Sequence, residues 1–442
     1  MLEVDISVAH LTIMLFGMLI IALLSGLPLA FALGGVSVLF ALLFWSPESL
    51  SMFATKALGA ARSIVMVAIP LFIFMGVTLS RSGIADELYE MAYHWIGQVR
   101  GGLAMGTVAI CAVFAAMAGA SAPATVTMAI VALPSMRKRG YKPGVALGSI
   151  MAGGALGILI PPSVTMIVYS LQTGVSVGHL FVGGIIPGLL LTALFMAYIW
   201  IRCLIQPDQG PAIPPEERGT WRERVVLLRA VILPILLVIA VLGSIYTGIA
   251  TPTEASAVGA FGALIAAAIH RRLNWHTMWD ILKKSIRITT MVMWICVGGL
   301  WLAAVYQAIG ATHFVTGIIE GLPVGPWGII ILMQVTFFIL GMLMDPLGII
   351  FIAMPIYVPI ILELGFNPVW FGVLFIVNME MAYLTPPFGV NLFYMRAIVP
   401  KEEVSMLGIY SAALPFIFIQ LIGLILVMIF PQIILWLPSM MM

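Results

Sequence analysis

Charge is what this sequence most lacks. Only 9% of its 442 residues are Asp, Glu, Lys or Arg, whereas 62% are hydrophobic. Soluble domains carry about 25% charged residues, so a chain this long cannot cover a water-facing surface with so few. Disorder, coiled coil, a secreted disulfide scaffold and nucleic-acid binding are excluded on that ground. Cysteine is scarce as well. Cys111, Cys203 and Cys296 lie far apart, with no CxxC and no histidine at ligand spacing. They read as small apolar side chains, with no disulfide framework and no transition metal expected. No P-loop, GxSxG or HExxH occurs, so ATP coupling within the chain and hydrolase chemistry lack support, and no enzyme and no organic cofactor are expected. His10, His94, His179, His270, His276 and His313 fall near span ends or in loops, which argues against a proton relay. The start, Met1-Leu2-Glu3-Val4-Asp5, lacks the basic region of a signal peptide, so the first apolar segment is expected to be a retained span.

What is present is a series of long apolar runs, so the fold class is an all-α polytopic membrane protein in a lipid bilayer. A spanning helix needs about 20 mostly apolar residues. Ten segments qualify, at about 7–24, 27–45, 62–80, 143–169, 185–203, 229–247, 252–269, 287–308, 367–394 and 408–437. Two more, about 102–134 and 326–362, are too long for one span and are interrupted midway. The interruptions are Gly119-Ala120-Ser121-Ala122-Pro123 and Gly341-Met342-Leu343-Met344-Asp345-Pro346. Both are expected to be re-entrant helical hairpins; two ordinary spans in each place would leave the crossing parity unchanged. Segments 47–60 and 273–286 look interfacial, the second because Trp275, Trp279, Lys283 and Lys284 stand among apolar residues. Residues 204–228 form a polar, Pro-rich central linker.

Alternating the chain across the bilayer places Lys56 and Arg62 on one side and the other 18 of the 20 basic residues on the opposite side. The positive-inside rule makes the richer side cytoplasmic. Both termini are then periplasmic and the linker is internal.

The halves match at an offset of about 225. Ala32-Leu33-Gly34 aligns with Ala257-Val258-Gly259, Gly140-Tyr141 with Gly365-Phe366, Leu159-Ile160-Pro161-Pro162 with Leu384-Thr385-Pro386-Pro387, and Tyr169 with Tyr394. Five crossings and one hairpin per half make an odd number, so the second half is expected to be inverted. Paired interrupted segments in inverted halves point to the binding site of a secondary transporter.

Irregular backbone at membrane depth is tolerated where protein or a wet cavity satisfies it. Proline stops a helix because it lacks an N–H and clashes with the preceding turn. Each half therefore brings helix ends to the midplane. Ends that present carbonyls suit a cation such as Na⁺, and ends that present N–H groups suit an anion. The candidate Na⁺ ligands are Gly119, Ser121, Gly157, Gly341, Asp345 and Thr385; the candidate substrate ligands are Ser121, Ala122, Pro162, Ser163, Pro387 and Asn391. Asp345 is the acid most clearly at membrane depth, which favours function, yet Asp345-Pro346 is also a plain helix start. Asn378 and Glu380 lie near the second proline pair, where Glu380 could pair, ligate or face a wet cavity. Thr251-Pro252-Thr253-Glu254 reads as a structural capping box.

At these residues the sequence resembles the large membrane subunit of tripartite ATP-independent periplasmic (TRAP) transporters. The carriers are Gly248-Ile249-Ala250-Thr251-Pro252-Thr253-Glu254-Ala255, the run Gly119 to Thr125, Ile158-Leu159-Ile160-Pro161-Pro162-Ser163, and Asn378-Met379-Glu380 together with Thr385-Pro386-Pro387-Phe388-Gly389-Val390-Asn391. One departure is Pro123, where small residues are more usual. The resemblance implies a bacterial or archaeal inner-membrane symporter driven by Na⁺, a small four-span membrane subunit and a periplasmic substrate-binding protein. It also implies an organic-anion substrate (a carboxylate or sugar acid) and an elevator mechanism. The corresponding division is scaffold 1–61, transport half 62–170, scaffold and linker 171–286, transport half 287–396 and scaffold 397–442. The alternative is a stand-alone sodium/organic-anion symporter that needs no binding protein. Uptake by this chain alone would select it.

Overall fold

The computed structural model describes residues 7–44, 47–321, 323–387 and 389–441, so the acidic start, Phe388 and the His313 side chain lie outside the described residues. Within them the chain is helical, with no strand. The first half runs α1 Val8–Leu24, α2 Leu29–Phe44, α3 Leu50–Ala61, α4 Ile64–Arg81, α5 Ile84–Ile96, α6 Gly102–Ala118, α7 Ser121–Lys138, α8 Pro143–Ala155, α9 Val164–Thr173 and α10 Val177–Ile205. The second runs α11 Trp221–Tyr246, α12 Pro252–Ile269, α13 Trp275–Ala308, α14 Ala311–Glu320, α15 Pro326–Gly341, α16 Pro346–Glu363, α17 Pro368–Tyr383, α18 Val390–Ile398 and α19 Met406–Ile429. Among the described residues seven helices, α4, α10, α11, α12, α13, α16 and α19, are long and apolar enough to cross a membrane; α1, α2, α6, α15 and α17 are shorter apolar helices.

Local chemistry sets the boundaries. Thr251 and Glu254 form the expected capping box with Pro252 at the first helical position. Asn274, Asn367 and Ser405 cap α13, α17 and α19 with their side chains. The chain breaks at 119–120, within the expected Gly119–Pro123, and at 342–345, within the expected Gly341–Pro346, separating α6 from α7 and α15 from α16, and both proline pairs interrupt the helix.

One expectation is corrected. Segment 273–286 does not lie as a separate helix before the next span; it is the start of the continuous 34-residue α13. Neither proline nor glycine occurs between Trp275 and Val297, so nothing stops the helix. Its charged turns are held sideways instead: Arg81 pairs with Asp280 at 2.6 Å, and Lys283 lies 5.3 Å from the Trp279 ring centre. Two short helices, α5 and α14, were not expected from hydropathy, and they occupy equivalent places in the two halves.

The packing is reciprocal. Helix α2 packs on α13, and α12, its counterpart, packs on α4. Likewise α7 packs on α18 and α16 on α9. The contacts thus exchange between the two halves. Small residues permit the approach at α2/α13: a Cβ on Gly298 would meet the Ala30 carbonyl oxygen at 2.8 Å. The last helix, grouped with the scaffold above, packs on α8, α10 and α17.

Candidate functional site

The first break is built backbone against backbone. Helix α6 ends on Gly119 at φ +68°, a left-handed conformation that favours glycine. The Val164 N–H, opening α9, donates to the Gly119 carbonyl at 3.2 Å. Ser163 is buried and caps α9, accepting from the Met166 N–H at 3.4 Å and donating to the Ile158 carbonyl at 2.5 Å. A Cβ on Gly157 would lie 2.6 Å from the Ala120 carbonyl oxygen and 2.9 Å from the Ser121 Cα. The tip at 119–121 therefore sits directly on the break after α8, and only glycine permits that approach. The Pro161–Pro162 bond is cis, as is Pro386–Pro387.

The second break carries the charge. Asp345 caps α16, its Oδ1 accepting from the Leu347 N–H at 2.9 Å, while Tyr383 donates to its Oδ2 at 3.2 Å. Gly341 is buried against α17, where an added Cβ would meet the Ala382 Cβ at 2.5 Å. The Thr385 hydroxyl turns back to the Met381 carbonyl at 2.8 Å, and Pro387 is exposed.

The two breaks face one cavity of about 200 Å³. Gly119, Ala120, Ser121, Ala122 and Pro123 line it from the first tip, and Asp345 and Leu347 from the second. Thr165, Tyr383 and Tyr394 add hydroxyls. A wider cavity of about 780 Å³ shares Met291, Asp345, Leu347 and Tyr394 with it and extends to Arg287, Thr290, Trp294, Phe393 and the start of α2 at 28–31.

The candidate residues thus divide. Gly119, Ser121, Ala122 and Asp345 line the cavity. Gly157, Gly341, Pro162 and Ser163 do not line it: Gly157 and Pro162 abut the tip at 119–121, Ser163 caps α9, and Gly341 packs on α17. Asn391 is fully buried and bridges the halves: Ser121 Oγ donates to its Oδ1 at 2.6 Å, and its Nδ2 donates to the Met151 carbonyl at 2.8 Å. Thr385 and Pro387 do not line either cavity. Glu380 lies elsewhere, buried and accepting from Gln420 Nε2 at 2.6 Å, while Asn378 Nδ2 donates to the Gln334 carbonyl at 2.8 Å. Glu380 is thus held through one oxygen by Gln420 and lines neither cavity.

Sequence reasoning missed Arg287, Thr290, Thr165 and Tyr383 as site residues and used Tyr394 only as a repeat match. Arg287 was counted solely as an orienting charge. The available signal was its place in the first turn of an apolar run that a continuous α13 carries into the protein.

The comparisons converge on these features. The family described as "Tripartite ATP-independent periplasmic transporter, DctM component" matches residues 16–433. The C4-dicarboxylate TRAP transporter large permease protein DctM of Pseudomonas aeruginosa is 34% identical over 92% of this chain and 93% of its own length. The ectoine TRAP transporter large permease protein TeaC of Halomonas elongata is 31% identical over 94% and 96%. The isethionate TRAP transporter permease protein DctMQ of Oleidesulfovibrio alaskensis is 32% identical over 95% of this chain and 65% of that longer protein. In fold, the chain is similar to the Alcanivorax borkumensis YdaH transporter, with a TM-score of 0.63, 13% identity and 91% and 97% of the two chains covered. Paired interrupted helices around a shared cavity, and a family match across nearly the whole chain, lead to one conclusion: the chain belongs to the tripartite ATP-independent periplasmic (TRAP) transporter family, as a large membrane permease of the DctM type.

Proposed function

We propose that this permease takes up a small organic anion with Na⁺ across the inner membrane, by an elevator movement of the interrupted elements. The observation that carries the reading is the meeting of both tips at one cavity lined by Ser121 and Asp345. A carboxylate at membrane depth is expensive unless something compensates it, and a sodium ion beside Asp345 and the nearby chain ends would do so. The start of α7 has no side-chain cap, so its first N–H groups are available to an anion. The moving body in this reading comprises α6–α9 and α15–α18, together with α10 and α19, which pack on the broken helices.

The segments lining the wider cavity, 28–31, Arg287–Ile295 and Val390–Tyr394, all fall in the cytoplasmic half when the chain is oriented by its basic residues. The conformation is then inward-open, and Arg287 stands on the exit path. The substrate would be handed over by a periplasmic binding protein, with a small four-span membrane subunit beside the scaffold. The names of the dicarboxylate, ectoine and isethionate relatives support small charged organic solutes.

The test is uptake into proteoliposomes that hold this chain and its small subunit, with binding protein outside. Accumulation that requires an inward Na⁺ gradient supports the reading. Equal uptake in K⁺ removes sodium coupling, and uptake by the chain alone removes the need for partners.

A further inference from the structure

The charge and shape of the cavity say what kind of anion fits. Across both cavities the lining includes one cation, Arg287, and one acid, Asp345. Among the described residues the other polar lining is an indole N–H, Trp294 in the wider cavity, and a few hydroxyls: Ser121, Thr165 and Tyr383 in the narrower cavity, Thr290 in the wider one and Tyr394 in both. The narrow part, at about 200 Å³, is below the usual range of roughly 300–1,000 Å³ for ligand pockets. Its wall is made by Ile73, Val77, Ile158, Val164, Met291 and Val292.

Pro123 is the second observation. It occupies the third position of α7 and lines the cavity. The first four N–H groups of a helix have no intrahelical partner, and proline removes one of them. A ring of methylenes stands where a donor would face the ligand. A dicarboxylate needs a second charged partner and a sugar acid needs a donor or acceptor for each hydroxyl, because a polar group buried without a partner is penalised. The narrow cavity has no cation among its described lining residues, and of its four hydroxyls Ser121 already donates to Asn391 and Tyr383 to Asp345, which leaves the Thr165 and Tyr394 donors, too few for a sugar acid.

We infer that the substrate is a compact monocarboxylate with a short aliphatic body, its carboxylate at the amides of α7 and Ser121 and its body among the apolar side chains, with Arg287 receiving the carboxylate on the way out. This rests on the transporter reading above and narrows its substrate class.

The test is equilibrium binding of radiolabelled isovalerate, succinate and gluconate to the purified full chain in Na⁺ and in K⁺. No binding protein is present, so the selectivity measured is that of the chain. Sodium binding is measured in parallel with labelled Na⁺. The expected result is isovalerate bound in Na⁺ at least about tenfold more tightly than succinate or gluconate. Pro123→Ala, which returns the N–H, is expected to narrow that ratio by roughly fivefold, the worth of one hydrogen bond. Arg287→Gln should weaken isovalerate binding while leaving sodium binding in place. Succinate or gluconate bound as tightly as isovalerate overturns the assignment, as does failure of isovalerate to bind. If sodium still binds in those cases, only the substrate class falls; a chain that binds no sodium loses the transporter reading as well.

Discussion

At the scale of the residue, Asp345 does two jobs that can be separated. As a cap it holds the Leu347 N–H, and as a charge it faces the cavity with Tyr383 on its second oxygen. Asparagine caps a helix about as well as aspartate, so Asp345→Asn should leave thermal stability within about 0.5 kcal/mol. The lost charge should raise the Na⁺ concentration for half-maximal uptake by about tenfold, since interactions with a charged group are worth about 1.5–3 kcal/mol. Unchanged sodium activation in a transport assay would leave Asp345 as a cap only. Gly157 is tested from the opposite direction. An added Cβ would press on the backbone of Ala120 and Ser121, and overpacking of this kind costs about 1–3 kcal/mol. Gly157→Ala should therefore lower the melting temperature and sodium affinity together. Asp345 and the tip glycines were legible because an acid or a glycine inside an apolar run is itself an anomaly. Arg287, Thr290 and Tyr383 were not, since a polar group near the end of an apolar segment looks like an ordinary boundary.

At the scale of the element, the breaks were legible because proline and glycine act locally, whatever the fold around them. Pro386→Ala tests whether the break matters. With the N–H restored, α17 can extend toward α18, carrying its carbonyls out of the site. Uptake should fall by about tenfold or more, equivalent to about 1.4 kcal/mol, with the chain still folded by circular dichroism. The continuity of α13 was hidden because a hydropathy reading ends a span at Lys283 and Lys284, whereas helix formation does not stop at lysine. The central linker was recognised by composition, but its attachment was not. It is fastened under the first half by three backbone bonds: Gly101 N–H to Gly210, Lys142 N–H to Gln209 and Ile213 N–H to Gly97. Glu217 accepts from both Tyr93 and Arg139. Those two donors, Tyr93 first, hold the Glu217 carboxyl below its ordinary 4.5. Burial chiefly pushes Tyr93 up to about 12, so its hydroxyl remains a donor at physiological pH. A lowered carboxyl pKa stabilises the fold above its ordinary value, and that contribution is lost as pH falls through the lowered one. The strap should thus hold from neutrality to about pH 5 and loosen only in stronger acid. Glu217→Gln should loosen it at pH 7, read as faster hydrogen exchange at Gly101, Lys142 and Ile213.

At the scale of the molecule, the contacts α2/α13 with α4/α12, and α7/α18 with α9/α16, exchange between the halves that the sequence matches pair. As a TRAP permease the chain is an integral inner-membrane protein, and its orientation is the remaining quantity that decides how energy is used. The side assignment is internally consistent, because Arg81–Asp280, Arg137–Glu403, Arg139–Glu217 and His270–Glu87 each join segments placed on the same, basic side. Which way that side faces sets the sign of the electrical work. Each charge moved through 100 mV is worth about 2.3 kcal/mol. A monocarboxylate entering with two sodium ions carries one net positive charge inward, so a negative interior drives it. A dicarboxylate with two sodium ions is electrically neutral and relies on the sodium gradient alone, at about 1.4 kcal/mol per tenfold for each ion. Lys138 is exposed at the end of α7, in the basic run that the positive-inside rule places in the cytoplasm. In a cysteine-free background, Lys138→Cys should react with an impermeant maleimide in inside-out vesicles and be protected in intact spheroplasts. Labelling in spheroplasts would turn the molecule over, put the Arg287 mouth on the periplasmic side, and make the wider cavity the entrance.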